Sequence, residues 1–291
     1  MRSEVIVIGN GVMGSTIASW LRLKGREVLT LDDGRPESGT SASGGLIKPS
    51  KLNGLTPVEE AEVRGVLDPL FGLTREVFTI RPSFDLVKTE IWRINMDRVR
   101  TAPSTKFKVT EIKRGEAGED SIVLGEGAEG PEEHRCGILI LAAGYWCMEL
   151  LPEIFPPGSL TAKKGVSFRF KGKIDRPFVK MWAPYKQVTV HNTDYMDEKV
   201  IWAGDGTGLK LENWREGIEA ECLVRIRKEF PDGEAMIPFA ETPGLRPFHK
   251  DKDRPCFVKE AYPRVWVATG AGKFGGISAA WAARKIEREL V

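Results

Sequence analysis

Three glycines carry the first chemical signal in this sequence. Gly9, Gly11 and Gly14 stand in G-x-G-x-x-G spacing directly after the β-branched run Val5–Ile8, and ahead of Ile17, Ala18 and Leu21 at helical spacing. Each glycine has its own duty in such a turn: one lets the chain reverse tightly, one lets a pyrophosphate reach the backbone, and one lets helix pack on strand. The helix that follows, with Val12 and Met13 in its first turn, would aim unpaired N–H groups and the positive end of its dipole at those phosphates. A second strand, Val28–Leu31, closes on Asp32 and Asp33. Asp32 is spaced to accept hydrogen bonds from a ribose diol. An acid at that position disfavours a 2′-phosphate, which leaves NAD or FAD.

The next segment separates these two. An NAD-binding chain normally proceeds from its second strand to another helix, whereas this one makes a polar turn of small residues, Thr40, Ser41, Ala42, Ser43, Gly44 and Gly45, running into Leu46. Amides and hydroxyls there can meet a second set of phosphate and ribitol oxygens, a flavin feature. The remaining reactive side chains form no competing centre. Cys136, Cys147, Cys222 and Cys256 are widely separated, and the only histidines are His134, His191 and His249. Neither a zinc site nor a disulfide framework is expected, and no nucleophile–base pair stands out.

Four stretches must position this chemistry. They are "GTSASGGLI" (39–47), "ILILAAGYWC" (138–147), "PGLRP" (243–247) and "VWVATGAGKFGGISAAWAA" (265–283). In this order they resemble the D-amino-acid oxidase and glycine oxidase family of FAD-dependent amine oxidases. The resemblance implies an α/β fold: a Rossmann-like FAD-binding domain of glutathione-reductase type, interrupted by an antiparallel substrate sheet. Residues 1–50, 97–160 and 240–291 would form the former, and 51–96 with 161–239 the latter. FAD would be held non-covalently, with Cys147 and Cys256 as packing residues. Besides the two turns, the resemblance assigns Val109, Ala143, Gly144, Trp146, Gly270, Gly272, Lys273, Phe274, Gly275, Gly276 and Ile277 to the cofactor.

For catalysis, the resemblance makes Arg246 the residue that grips a substrate carboxylate through a bidentate guanidinium. Lys273 would stabilise negative charge on reduced flavin. Lys48, Trp182 and Trp202 are substrate-lining candidates. The reaction implied is oxidation of a small amine or amino acid, glycine-type or N-substituted glycine, with O2 as electron acceptor. Two other readings stay open. One is the same chemistry on a glycyl or aminoalkyl group of a nucleobase, as in the oxidase half of the bifunctional tRNA-modifying enzyme, which is similar to this family. The other is a flavin subunit of a heteromeric dehydrogenase. Relatives are generally longer between the flavin turn and "VTEIKR", so a reduced cover and an open mouth are expected. Basic clusters at Lys106, Lys108, Lys113 and Arg114, at Lys163 and Lys164, and at Lys171, Lys173, Arg176 and Lys180 would suit a nucleic-acid partner.

Composition bounds these readings. The 291 residues are 41% hydrophobic and 29% charged, as in ordinary globular proteins. A formal charge of +2 sets up no global field that would select an acidic partner. No run approaches the roughly 18 apolar residues of a membrane span, so no membrane partner is expected. The chain enters a strand almost at once, so a signal peptide is not expected, and a reducing cytoplasm is the expected location.

Overall fold

The computed structural model describes all residues except 44, 48–55, 82–86, 117–118, 175–177, 184–185, 196–197, 207, 231–235, 251–255, 273 and 291; within strands, the side chains of 47, 75–81, 87–90, 178–183, 186–187 and 194–195 are also outside the described set. Two sheets organise it. In the first, β1 (Arg2–Ile8) lies between β2 (Val28–Asp32) and β9 (Gly130–Leu141), parallel to both. β6 (Thr105–Lys106) extends the parallel set beyond β2, and β17 (Val265–Thr269) extends it beyond β9. β16 (Phe257–Tyr262) returns antiparallel at one edge, while β7 (Lys108–Lys113) and β8 (Ser121–Gly127) form an antiparallel flap on β9.

Toward their carboxyl ends the central strands β1 and β9 run apolar, Val5–Ile8 and Ile138–Leu141, because both their faces are covered there. Val5 and Val7 face a core shared with α1 (Val12–Leu23), α2 (Pro57–Phe71) and α6 (Gly275–Glu289). Ile6, Ile8, Leu139 and Leu141 face the opposite core with Phe107, Val123 and Phe155. Ala279, Ala280, Ala282 and Ala283 are buried in α6; their small side chains let it lie close against α1. Gly14 does the same for α1 and its strand, since a Cβ there would stand 1.8 Å from the Gly9 carbonyl oxygen.

The second sheet takes the order β14 (Leu209–Lys210), β10 (Leu160–Lys171), β13 (Glu198–Gly204), β12 (Lys186–Tyr195), β11 (Phe178–Ala183), β4 (Leu73–Arg81), β5 (Val87–Ile94) and β3 (Leu46–Ile47). It is antiparallel except between β11 and β4. β15 (Ala240–His249), grouped by sequence with the nucleotide-binding unit, pairs along its full length with β10 of this second sheet. One face carries Phe168, Phe170, Val188, Val190, Ile201 and Ala203 beneath α5 (Ile218–Arg227), which contributes Ile218, Cys222 and Ile226. The other face carries Arg169, His191 and Trp202 in register across β10, β12 and β13.

Two shorter helices complete the frame, α3 (Met96–Arg100), capped by the Asn95 side chain, and α4 (Cys147–Leu150). α3 lies in the stretch between the flavin turn and "VTEIKR" where a reduced cover is expected. Pro57 opens α2 behind a reciprocal capping box between Thr56 and Glu59. Among the described residues, no helix is long and apolar enough to cross a membrane.

Candidate active site

The parallel strands end on a cavity of about 690 Å3, within the range of roughly 300–1,000 Å3 typical of ligand sites. The carboxyl ends of such strands are where α/β sheets bind ligands. One wall is the glycine turn after β1. The N-cap residue of α1, Gly11, offers no side chain; the Val12 amide instead donates to Thr40 Oγ1 at 2.7 Å, and the amides of Gly11 and Met13 have no protein acceptor among the described residues. Asp32 is fixed by the Asn10 and Gly34 amides, at 2.6 and 2.8 Å, one on each carboxylate oxygen.

The polar turn is the second wall. Thr40, Ser41, Ala42, Ser43, Gly45 and Leu46 all line the cavity. Its carbonyls are pinned from two sides: Arg169 of β10 donates to the Ser41 carbonyl at 2.8 Å, and Arg100 of α3 donates to that of Ser43 at 3.2 Å. Gly45 has φ of 73°, and a Cβ there would stand 2.6 Å from the Ile94 carbonyl oxygen. Only glycine satisfies both restrictions without strain.

Val109, Ala143, Gly144 and Trp146 line the cavity from β7 and the end of β9; Gly270, Gly272, Gly275 and Gly276 line it from the turn between β17 and α6. Thr269 Oγ1 joins the two sides by donating to the Gly144 carbonyl at 2.6 Å. Three predicted contacts stand elsewhere. Gly14 serves helix–strand packing, Ile277 is 2% exposed in the core under α6, and Phe274 is the N-cap residue of that helix rather than part of the wall. Gly44, Lys48 and Lys273 lie outside the described residues, as does the Trp182 side chain.

Sequence reasoning missed Arg35. Its guanidinium bonds Asp33 at 2.5 Å and Glu149 at 3.1 Å, and stacks over Trp146 with 4.8 Å to the ring centroid. It therefore ties the end of β2 to the turn after β9, along with Asp33, which also lines the cavity. Its place two residues after Asp33 was visible, but its second partner is 114 positions away.

Arg246 of β15 and Trp202 of β13 reach the cavity from the second sheet. The Arg246 guanidinium has no hydrogen bond or ion pair among the described residues. Burial lowers its pKa from the ordinary value, and the field of Asp205 opposes the shift. Asp205 itself is ion-paired to Arg225 at 2.7 Å. Trp202 packs on His191 with centroids 5.0 Å apart, and its buried indole N–H has no acceptor in the described structure.

The cradle fits an extended dinucleotide: donors at a helix N-terminus, a fixed acid beside them, and a second small-residue turn. Among the described residues no cysteine lines the cavity, and burial pushes the thiols of Cys136, Cys147 and Cys256 up to about 12. Fold and site thus define a dinucleotide-dependent α/β oxidoreductase. The model of the FAD dependent oxidoreductase (DAO) family matches residues 105–288, and the chain belongs to this family. It is a FAD-dependent enzyme.

No curated protein sequence matches the chain. Among solved structures it is similar to glycine oxidase from Bacillus cereus, with a TM-score of 0.72 at 15% identity over 99% of this chain and 95% of that one. NikD, an unusual amino acid oxidase essential for nikkomycin biosynthesis, gives 0.67 at 14% identity over 99% and 94% of the two chains. Iminodiacetate oxidase from a Chelativorans species gives 0.65 at 15% over 97% and 93%. At such identities the likeness is one of fold.

Proposed function

We propose that the protein oxidises the C–N bond of an amine bearing a carboxylate, a glycine-type or N-substituted glycine substrate. The observation that carries this is Arg246, a cation on the cavity wall with no anionic partner bonded to it among the described residues. A half-buried guanidinium matches a carboxylate by two parallel hydrogen bonds. Bound FAD would supply a two-electron acceptor for hydride from the carbon beside the amine nitrogen. Arg246 fixes that carbon by its neighbouring carboxylate, and Trp202 gives the site an apolar wall. The oxidised substrate is an imine; water adds across it to release an amine and a carbonyl compound, and O2 takes up the electron pair as peroxide.

The described wall offers no free base. Asp32 is engaged by two amides and Asp33 by Arg35. In this reading the substrate reacts as the neutral amine, its proton having gone to solvent. Oxidases and amino acid oxidases of the same fold support an amine substrate. Of the basic clusters, Lys108 pairs with Glu126, Arg114 with Glu153 and Lys164 with Glu37, so a small molecule is favoured over a nucleic acid. Steady-state peroxide release from sarcosine and from the carboxylate-free N-methylethylamine tests the proposal. Turnover of sarcosine alone is expected. Equal turnover of both, or turnover only of an oligonucleotide carrying an N-glycyl-methyl uracil base, would overturn it.

A further inference from the structure

Arg246 is one end of a row of cations. Antiparallel pairing sets Lys163 of β10 opposite Arg246 of β15 and, on its other side, opposite Lys210 of β14. Directly paired residues project from the same face of a sheet with Cβ atoms about 5 Å apart, and like charges so placed repel. The side chains converge as well. A Cβ built on Gly208 would stand 3.8 Å from Lys163 Cδ and 4.0 Å from Arg246 Nη1. The Lys163 ammonium lies 5.4 Å from the centroid of Phe248, whose ring abuts the cavity-lining Gly272. Lys163 is exposed where Arg246 is half-buried, so the row runs from the cavity wall outward.

The nearby carboxylates do not neutralise it. Asp205 is bonded to Arg225, and Glu37 to Lys164, whose side chain leaves the opposite face of β10. Lys210 has only Glu212, at 3.5 Å between two exposed groups, and Lys163 has no carboxylate partner among the described residues. Two adjacent, unmatched cations, one in the cavity and one at its rim, suit a ligand with two anionic groups.

We infer that the enzyme acts on a small amine with a second acidic group, a carboxylate or phosphate, which Lys163 binds while Arg246 holds the carboxylate next to the reacting carbon. This rests on the proposed role of Arg246. Lys163 acts by binding and touches no reacting atom. Because it is exposed, its share is modest and falls with salt.

Non-oxidisable ligands test this on the holoenzyme. Diglycolate carries two carboxylates, phosphonomethoxyacetate a carboxylate and a phosphonate, and methoxyacetate one carboxylate on the same ether frame. Their Kd values follow from perturbation of the flavin spectrum, checked by calorimetry. At low salt, one or both dianions should bind roughly five- to tenfold tighter than methoxyacetate, a difference on the order of 1 kcal/mol. Lys163→Gln should erase that preference and leave methoxyacetate unchanged. Equal affinities in the wild type, or a preference that survives Lys163→Gln, would overturn the second anion site alone. Methoxyacetate binding that is absent, or indifferent to Arg246→Ala, would remove the role of Arg246 and this inference with it.

Discussion

At the residue scale, the account makes Arg246 a substrate-binding group rather than a structural one. Arg246→Ala should fold and keep its flavin, yet lose about 100-fold in kcat/KM for sarcosine, the equivalent of one or two charge-assisted hydrogen bonds. Arg246→Lys keeps the charge without the fork and should recover only part of this. Loss of flavin from either variant would instead place Arg246 in the cofactor cradle. With no free base on the described wall, kcat/KM should rise with pH to the substrate's own amine pKa, and that midpoint should move between substrates of different basicity. A midpoint fixed in the enzyme would expose a catalytic base. Gly45→Val forces a β-branched side chain into φ of 73° against the Ile94 carbonyl, and should yield folded protein with little flavin, read from the ratio of visible to ultraviolet absorbance. Gly45 was legible because turn chemistry is local, and Arg246 through the resemblance carried by "PGLRP". Arg35 was not, because its value comes from Glu149 and Trp146, which only the fold brings near.

At the element scale, the glycine turn, its helix and the strand closing on Asp32 could be read directly, since strand burial and helical periodicity leave separate marks. β15 could not. Its stretch groups by sequence with residues 240–291 of the FAD-binding domain, and its pairing with β10 makes it a strand of the second sheet. α5 begins at Ile218 behind Gly217 in the left-handed region. α2 starts on a capping box between Thr56 and Glu59. Thr56→Ala should cost about 1 kcal/mol, lowering Tm by a few degrees. Calorimetry that finds no change would mean this helix start is held by packing against α6 alone.

At the scale of the whole molecule, the two sheets enclose polar groups that no local pattern marks. His191 lies fully buried on β12 against Trp202; burial pushes its pKa down to about 4, and nearby Arg93 adds to the effect. In the unfolded chain the same imidazole titrates near 6.5. Between these values the unfolded state binds the extra proton, so stability is complete above about pH 6.5 and falls as pH drops toward 4. Urea unfolding at pH 7.5 and 5.0 should show this loss, and His191→Phe should flatten it; an unchanged slope would assign the acid sensitivity to other groups. Glu4, held below the carboxylate range chiefly by Arg26, and Glu59, held there by the Thr56 amide, add losses only at lower pH.

The central claim is that the cavity brings a carboxylate-bearing amine to a bound flavin, and anaerobic mixing tests it most directly. Purified holoenzyme would be titrated without oxygen against glycine, sarcosine, iminodiacetate and N-methylethylamine while the oxidised flavin band is followed. Bleaching by one or more of the carboxylate-bearing amines, and none by N-methylethylamine, is the predicted result. A flavin that stays oxidised with every carboxylate-bearing amine, or that N-methylethylamine bleaches as readily, would contradict the account.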